Sequence, residues 1–160
     1  MKTLYLLRHA KSSWDNPDLD DFDRPLNDRG EKDAPTIGKR LMERNVVAQV
    51  FYSSPAVRAV TTMQIIAKAL GYDSKNIRTE DKLYHASEEV LLGFVKKMSD
   101  DFQSIMIAGH NPGLTGFANI LQEKYIDNIP TTGVVQIDFH VDTWKDVEKG
   151  KLIFFDFPKK

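Results

Sequence analysis

With 160 residues, 41% of them apolar and 28% charged, the chain can bury one sizeable core and is short for two, which points to a single domain over residues 1–160. A net charge of -1 with interspersed signs lacks the basic footprint of a general nucleic-acid binder. No apolar run approaches the roughly 20 residues of a membrane span, so neither nucleic acid nor membrane is an expected partner. Cysteine is absent, which excludes disulfides, thiolate metal sites and phosphatases that attack phosphorus through sulfur.

The opening Met1-Lys2-Thr3-Leu4 has no signal-peptide apolar region, so a cytoplasmic enzyme is expected. From there apolar runs alternate with helical periods, the pattern of βαβ units around a largely parallel sheet buried on both faces. The run Leu4-Tyr5-Leu6-Leu7 is the first strand, and it ends on Arg8-His9. Residues 11–28 form a long loop rich in Asp and Asn, interrupted by Pro17 and Pro25; such loops in compact domains are functional or mobile. A helix over 28–44 follows, capped near Asn27 or Asp28, with Pro35 best tolerated in its first turns.

A second strand over 46–53 leads into Ser54-Pro55, an N-cap residue and a favoured first helical residue. That helix runs to Leu70, where Gly71 stops it. Residues 76–79 read as a short strand, and Ser87-Glu88-Glu89 starts a helix reaching about Met98. Residues 104–109 are a further strand, ending on Gly109-His110, with a helix from Pro112 to about Lys124. Residues 134–141 and 151–157 resemble an antiparallel pair at the sheet edge. No repeat, linker or low-complexity segment is present.

Three strands therefore hand over to polar groups at their carboxyl ends: Arg8 and His9, then Ser53-Ser54 with Arg58 one turn into its helix, then His110. In a parallel sheet these ends share one side, so two guanidiniums and two imidazoles can converge. Such a pocket suits a phosphoryl group, because arginine forks hold its oxygens and helix starts add unpaired backbone donors. A neutral imidazole is nucleophilic near neutral pH and can carry a phosphoryl group, provided its other nitrogen holds its proton on a carbonyl or water. Taken singly, Arg8-His9 is more simply a solvated strand end and Arg58 a helix-surface cation; their joint placement favours a site.

At these residues the chain resembles the histidine phosphatase superfamily, with its phosphoglycerate-mutase-like fold. The segments Leu7-Arg8-His9-Ala10, Arg24-Pro25-Leu26-Asn27-Asp28-Arg29-Gly30, Ser53-Ser54-Pro55-Ala56-Val57-Arg58-Ala59 and Gly109-His110-Asn111-Pro112 are most similar to SixA-type phosphohistidine phosphatases. The resemblance implies a three-layer α/β/α sandwich, its sheet mostly parallel with an antiparallel C-terminal edge. It implies His9 as the nucleophile of a covalent phosphohistidine intermediate. Arg8, Arg58 and His110 would bind the phosphoryl oxygens, with Ser12 as a further phosphate contact. Asp15 and Asn16 stand where many members carry an asparagine, and a carboxylate there would repel the phosphoryl group unless it points away.

No residue inherits the proton-donor role outright; His85 and Glu80 are candidates, with Asp81 beside them. A phosphoramidate needs a dedicated acid less than an alcohol leaving group does. Only residues 71–101 lie where metabolite-specific members insert a lid, so no large cap insertion is expected, and an uncovered pocket admits a side chain presented by another protein. The expected activity is removal of phosphate from a phosphohistidine-bearing protein, with a histidine phosphotransfer domain as one candidate partner.

The alternatives are a sugar or glycerate phosphate phosphatase or mutase of the same fold, and a phosphate-binding interaction module without turnover. A metal hydrolase fits less well. His9, His85, His110 and His140 show no metal-ligand spacing, and two arginines would repel a divalent cation, so no cofactor or metal is expected. Trp14 lies in the active loop, as a wall of the pocket or an anchor of the loop.

Overall fold

Leu4 and Leu6 belong to one buried cluster and their neighbours Tyr5 and Leu7 to another, so the first strand needs apolar cover on both faces. The computed structural model describes residues 1–159 and supplies that cover as two layers of helices. Six strands, β1 (Lys2–Arg8), β2 (Val50–Ser53), β3 (Arg78–Thr79), β4 (Ser104–Gly109), β5 (Val134–Phe139) and β6 (Lys151–Asp156), make one sheet in the order β3-β2-β4-β1-β5-β6. The first four of that order are parallel, while β5 runs antiparallel to β1 and β6 antiparallel to β5. The fold is thus the α/β architecture expected, with its antiparallel strands at the C-terminal edge.

Helices α1 (Asp28–Glu43) and α2 (Val57–Ala69) cover the Tyr5 and Leu7 face through Ile37, Leu41, Met63 and Ile66. Helices α3 (Glu88–Lys96) and α4 (Gly113–Leu121) cover the Leu4 and Leu6 face through Leu91, Phe94, Leu114 and Phe117. Each such side chain, fully buried, contributes about 1.5–3 kcal/mol of transfer free energy. Among the described residues no helix is long and apolar enough to cross a membrane.

Local chemistry sets the boundaries. Asn27 caps α1 by accepting the Gly30 N–H at 2.9 Å, as the sequence predicts. Gly71, at φ +75°, closes α2, and the Tyr72 N–H behind it reaches the Ala67 carbonyl at 2.9 Å. Pro35 lies inside α1, past its first turn, where it forgoes one helical hydrogen bond.

Four boundaries differ from expectation. The second strand begins at Val50, because the Val46 N–H is taken by the Leu41 carbonyl at the end of α1. Ser54 does not cap α2, which starts at Val57 with no side-chain cap; the Ser54 hydroxyl is engaged by His110 instead. The short strand is only Arg78–Thr79, since Ser74–Asn76 coils into a 3-10 turn capped by Asp73. Helix α4 stops at Leu121, where Gln122 turns extended and its side chain binds both the N–H and the carbonyl of Lys124.

Candidate active site

The register of the parallel strands fixes where the chemistry falls. Arg8 lies opposite Gly109 and Ser53 opposite Ala108, so His9, Ser54 and His110 emerge together from the same edge of the sheet. They open into a cavity of about 280 Å³. Arg8, His9, Ser12, Arg58, His85 and His110 all line it. Glu80 does not; its N–H donates to the Ser53 carbonyl at 3.1 Å beside β3. Asp15 is exposed and lines a separate depression with Ser13 and Pro25, not this cavity.

The two histidine rings sit 5.1 Å apart, both buried. The His9 Nδ1 is 2.8 Å from the Ala10 carbonyl, which can only accept, so Nδ1 carries the proton and Nε2 keeps its lone pair. Arg58 Nε donates towards that lone pair at 3.4 Å. In His110 the arrangement is reversed. Its Nδ1 faces the Arg58 Nη2 donor at 3.4 Å, so Nε2 bears the hydrogen and donates to the Ser54 hydroxyl at 2.7 Å. The same hydroxyl accepts the Ala56 N–H at 3.2 Å.

Burial and the neighbouring guanidiniums keep both rings neutral. Burial lowers the His9 pKa most; the hydrogen bond to the Ala10 carbonyl opposes it, and the charges of Arg58, Arg8 and Arg24 add to the lowering, which leaves it at about 4. Burial, His9 and Arg58 lower that of His110 to about 3. Arg8 Nη1 is anchored on the Ile129 carbonyl at 3.0 Å, while its buried Nε has no hydrogen-bond partner among the described residues. A buried donor left unpaired is costly, and the side chain that carries it lines the cavity.

The structure adds Asp21, Arg24 and Tyr84, which the sequence reading did not single out. Arg24, buried in the Arg24-Pro25-Leu26 segment, donates to Ser12 Oγ at 2.5 Å and to the Ser13 carbonyl at 2.9 Å. Its guanidinium stacks 3.2 Å above the Trp14 ring, so this exposed tryptophan both lines the cavity and fixes a cation. Asp21 reaches Arg58 at 2.9 Å, Tyr84 at 2.7 Å, His85 at 3.1 Å and Arg24 at 3.0 Å. Burial pushes its carboxyl upwards, but those four hydrogen bonds prevail and hold it well below the usual carboxylate range. His85 adopts φ +50°, a conformation rare outside glycine, and packs its ring 4.8 Å from that of His110.

Two neutral imidazoles flanked by two guanidiniums form a cup suited to a tetrahedral anion, with an unprotonated imidazole nitrogen at its base. A profile of the histidine phosphatase superfamily (branch 1) matches residues 4–99, more than half of the chain. The chain belongs to that superfamily.

Among solved histidine phosphatase structures, a SixA protein from Agrobacterium tumefaciens is 30% identical, covers 98% of both chains and superposes with a TM-score of 0.81. The protein histidine phosphatase SixA complexed with tungstate, 16% identical with 98% and 97% coverage, shares the fold at a TM-score of 0.84. An uncharacterised chloroplastic protein of Arabidopsis thaliana is 31% identical over 91% of this chain and 70% of its own length. The chain is a SixA-type member of the superfamily, and a phosphatase.

Proposed function

We propose that this phosphatase removes phosphate from phosphohistidine in a partner protein, through a phosphohistidine formed on His9. One observation carries the choice of substrate. Asp21 is the only carboxylate among the described residues lining the cavity, and its four donors keep it ionised. The cavity therefore offers no carboxylic acid to protonate an alkoxide, whereas an imidazole leaves a phosphorus–nitrogen bond with much weaker help.

His9 Nε2 attacks phosphorus in line, the phosphorus–nitrogen bond of the substrate breaks, and the departing imidazole nitrogen takes a proton from His85 or water. Water then attacks the phosphorylated His9, releasing inorganic phosphate and restoring the free imidazole. Arg8 and Arg58 hold the phosphoryl oxygens throughout. His110, which donates only from Nε2 while neutral, becomes a donor at Nδ1 as well by taking up a proton as the dianion arrives, because a nearby anion favours the charged imidazole. Ser12, tied to Arg24, completes the phosphate contacts.

The likeness to a protein histidine phosphatase and the short stretch between α2 and β4 support a protein substrate. On this reading the chain works in the cytoplasm as one uncapped domain, and a histidine phosphotransfer domain is the partner class. The test is to mix the protein with a ³²P-labelled phosphohistidine protein, quench rapidly and locate the label by mass spectrometry. Label on His9, and neither label nor turnover in His9→Ala, is expected. Turnover by His9→Ala would overturn the nucleophile, and faster hydrolysis of 3-phosphoglycerate than of the phosphoprotein would overturn the substrate.

A further inference from the structure

A carboxylate inside a phosphate-binding cup needs explaining, since it repels the substrate it helps to surround. Asp21 sits on a 3-10 turn, Asp21–Asp23, at the tip of the loop between β1 and α1. Its side chain is 39% exposed, and an ion pair so open to water adds little to folding stability. Yet four side chains converge on it from three separate segments: Arg58 of α2, Tyr84 and His85 before α3, and Arg24 of its own loop.

The geometry at Arg58 separates two roles. A guanidinium has two forks, one at its Nη1/Nη2 end and one along its Nε/Nη2 edge. Asp21 takes the end, its backbone carbonyl accepting from Nη1 at 2.6 Å and its carboxylate from Nη2 at 2.9 Å. The edge stays turned to the histidines, with Nε 3.4 Å from His9 Nε2 and Nη2 3.4 Å from His110 Nδ1. Those two contacts are long, and they span the place where a phosphoryl group bonded to His9 would lie.

A carboxylate competing with phosphate would occupy the edge fork. Asp21 leaves it open. We infer that Asp21 is a positioning residue that grips the far end of the Arg58 guanidinium, so that its Nε/Nη2 edge faces the phosphoryl group in transit. The role rests on the phosphatase reading of this cavity but on no particular leaving group.

The test is a double-mutant cycle of Asp21 with Arg58, read by tungstate binding in calorimetry and by turnover of a phosphorylated protein. Asp21→Ala is expected to lower kcat by about 10²-fold, the cost of misplacing one oxyanion donor, with a small change in KM. Tungstate binding weakens about tenfold, in the same sense. Asp21→Asn, which keeps an acceptor oxygen and the backbone bond to Nη1, falls between Asp21→Ala and the parent protein. In an Arg58→Ala background Asp21→Ala changes neither readout, because the group it positions is gone.

Tighter tungstate binding by Asp21→Ala would overturn the inference and make the carboxylate a competitor. An equal loss with and without Arg58 would overturn it in favour of a general structural role, which a fall in unfolding temperature of Asp21→Asn would also report. Tungstate binding needs no knowledge of the substrate, so failure of the phosphohistidine assignment leaves this cycle interpretable.

Discussion

The backbone N–H of Thr132 lies 3.1 Å from the carbonyl oxygen of His9, and 3.1 Å from that of Arg8 as well. One donor thus ties down both residues of the pair that ends β1, while the neighbouring Gly133 carbonyl accepts the Arg8 N–H at 2.9 Å. Thr132 does this at φ +62°, an outlier for a β-branched residue, and its fully buried hydroxyl has no partner among the described residues. Strain of this kind costs on the order of 1–3 kcal/mol and survives where the surroundings over-determine it.

Thr132→Gly keeps the donor and accepts positive φ freely, so it should retain turnover with an unfolding midpoint no lower than that of the parent. Thr132→Pro removes the donor and fixes φ near −65°, so it should lower kcat by about 10²-fold or more. Steady-state kinetics beside thermal unfolding separate the two. Full activity in Thr132→Pro would show that the clamp is dispensable.

The pKa values of His9 and His110 give a pH signature with a definite sign. Both are lowered in the native state, to about 4 and about 3, from an unperturbed 6.5. Between pH 6.5 and 4 the unfolded chain binds protons at both rings while the native protein binds almost none, so stability rises with pH across that window. It is lost on acidification through the same range. Asp21, though held below the usual carboxylate range, is too open to water to add much to this acid loss. The acid limb of kcat/KM should fall near pH 4, where His9 protonates, rather than near 6.5. Urea midpoints that stay flat from pH 7 to 4 would contradict the buried, neutral pair.

The four groups that the strand ends present were legible because each closes or follows an apolar run: Arg8 and His9 after Leu4 to Leu7, Arg58 after Phe51 to Ser53, and His110 after Ile105 to Gly109. Periodicity finds strands, and parallel strands share an end, so convergence follows from local pattern. Asp21 carries no such mark. It is one of many acidic residues in a loop without period, and only the path of the loop over the cavity turns it inward. Ser54 misled for a related reason: the residue type suits a helix cap, but the stronger claim on its hydroxyl comes from His110, distant in sequence. Tyr84 and His85 meet Asp21 through tertiary packing alone.

Arg58 is a site where the usual conservative exchange should fail. Its three nitrogens serve four partners at once: His9, His110 and the carbonyl and carboxylate of Asp21. A lysine ammonium cannot present two forks in one plane. Arg58→Lys is therefore expected to lose about 10²-fold or more in kcat despite keeping its charge, close to the loss in Arg58→Ala. Recovery of most of the activity by lysine would mean that charge alone matters. Neither protein should respond to EDTA, since two guanidiniums beside His9 and His110 oppose a divalent cation.

Gly113 tests whether the placement of His85 matters, because it joins the start of α4 to the start of α3. A Cβ there would lie 1.9 Å from the carbonyl oxygen of Ala86, the residue after His85. The Ala86 backbone must therefore shift, and the His85 ring moves with it. Gly93, inside α3, is the control, since a Cβ there meets no atom within 4 Å. Gly113→Ala should destabilise by about 1–3 kcal/mol, as overpacking does. It should also slow release of the leaving group, seen as a reduced burst of phosphoenzyme. Gly93→Ala should instead stabilise by about 0.5–1 kcal/mol through helix propensity and leave the burst unchanged. A normal burst in Gly113→Ala would separate the position of His85 from catalysis and leave water as the proton source.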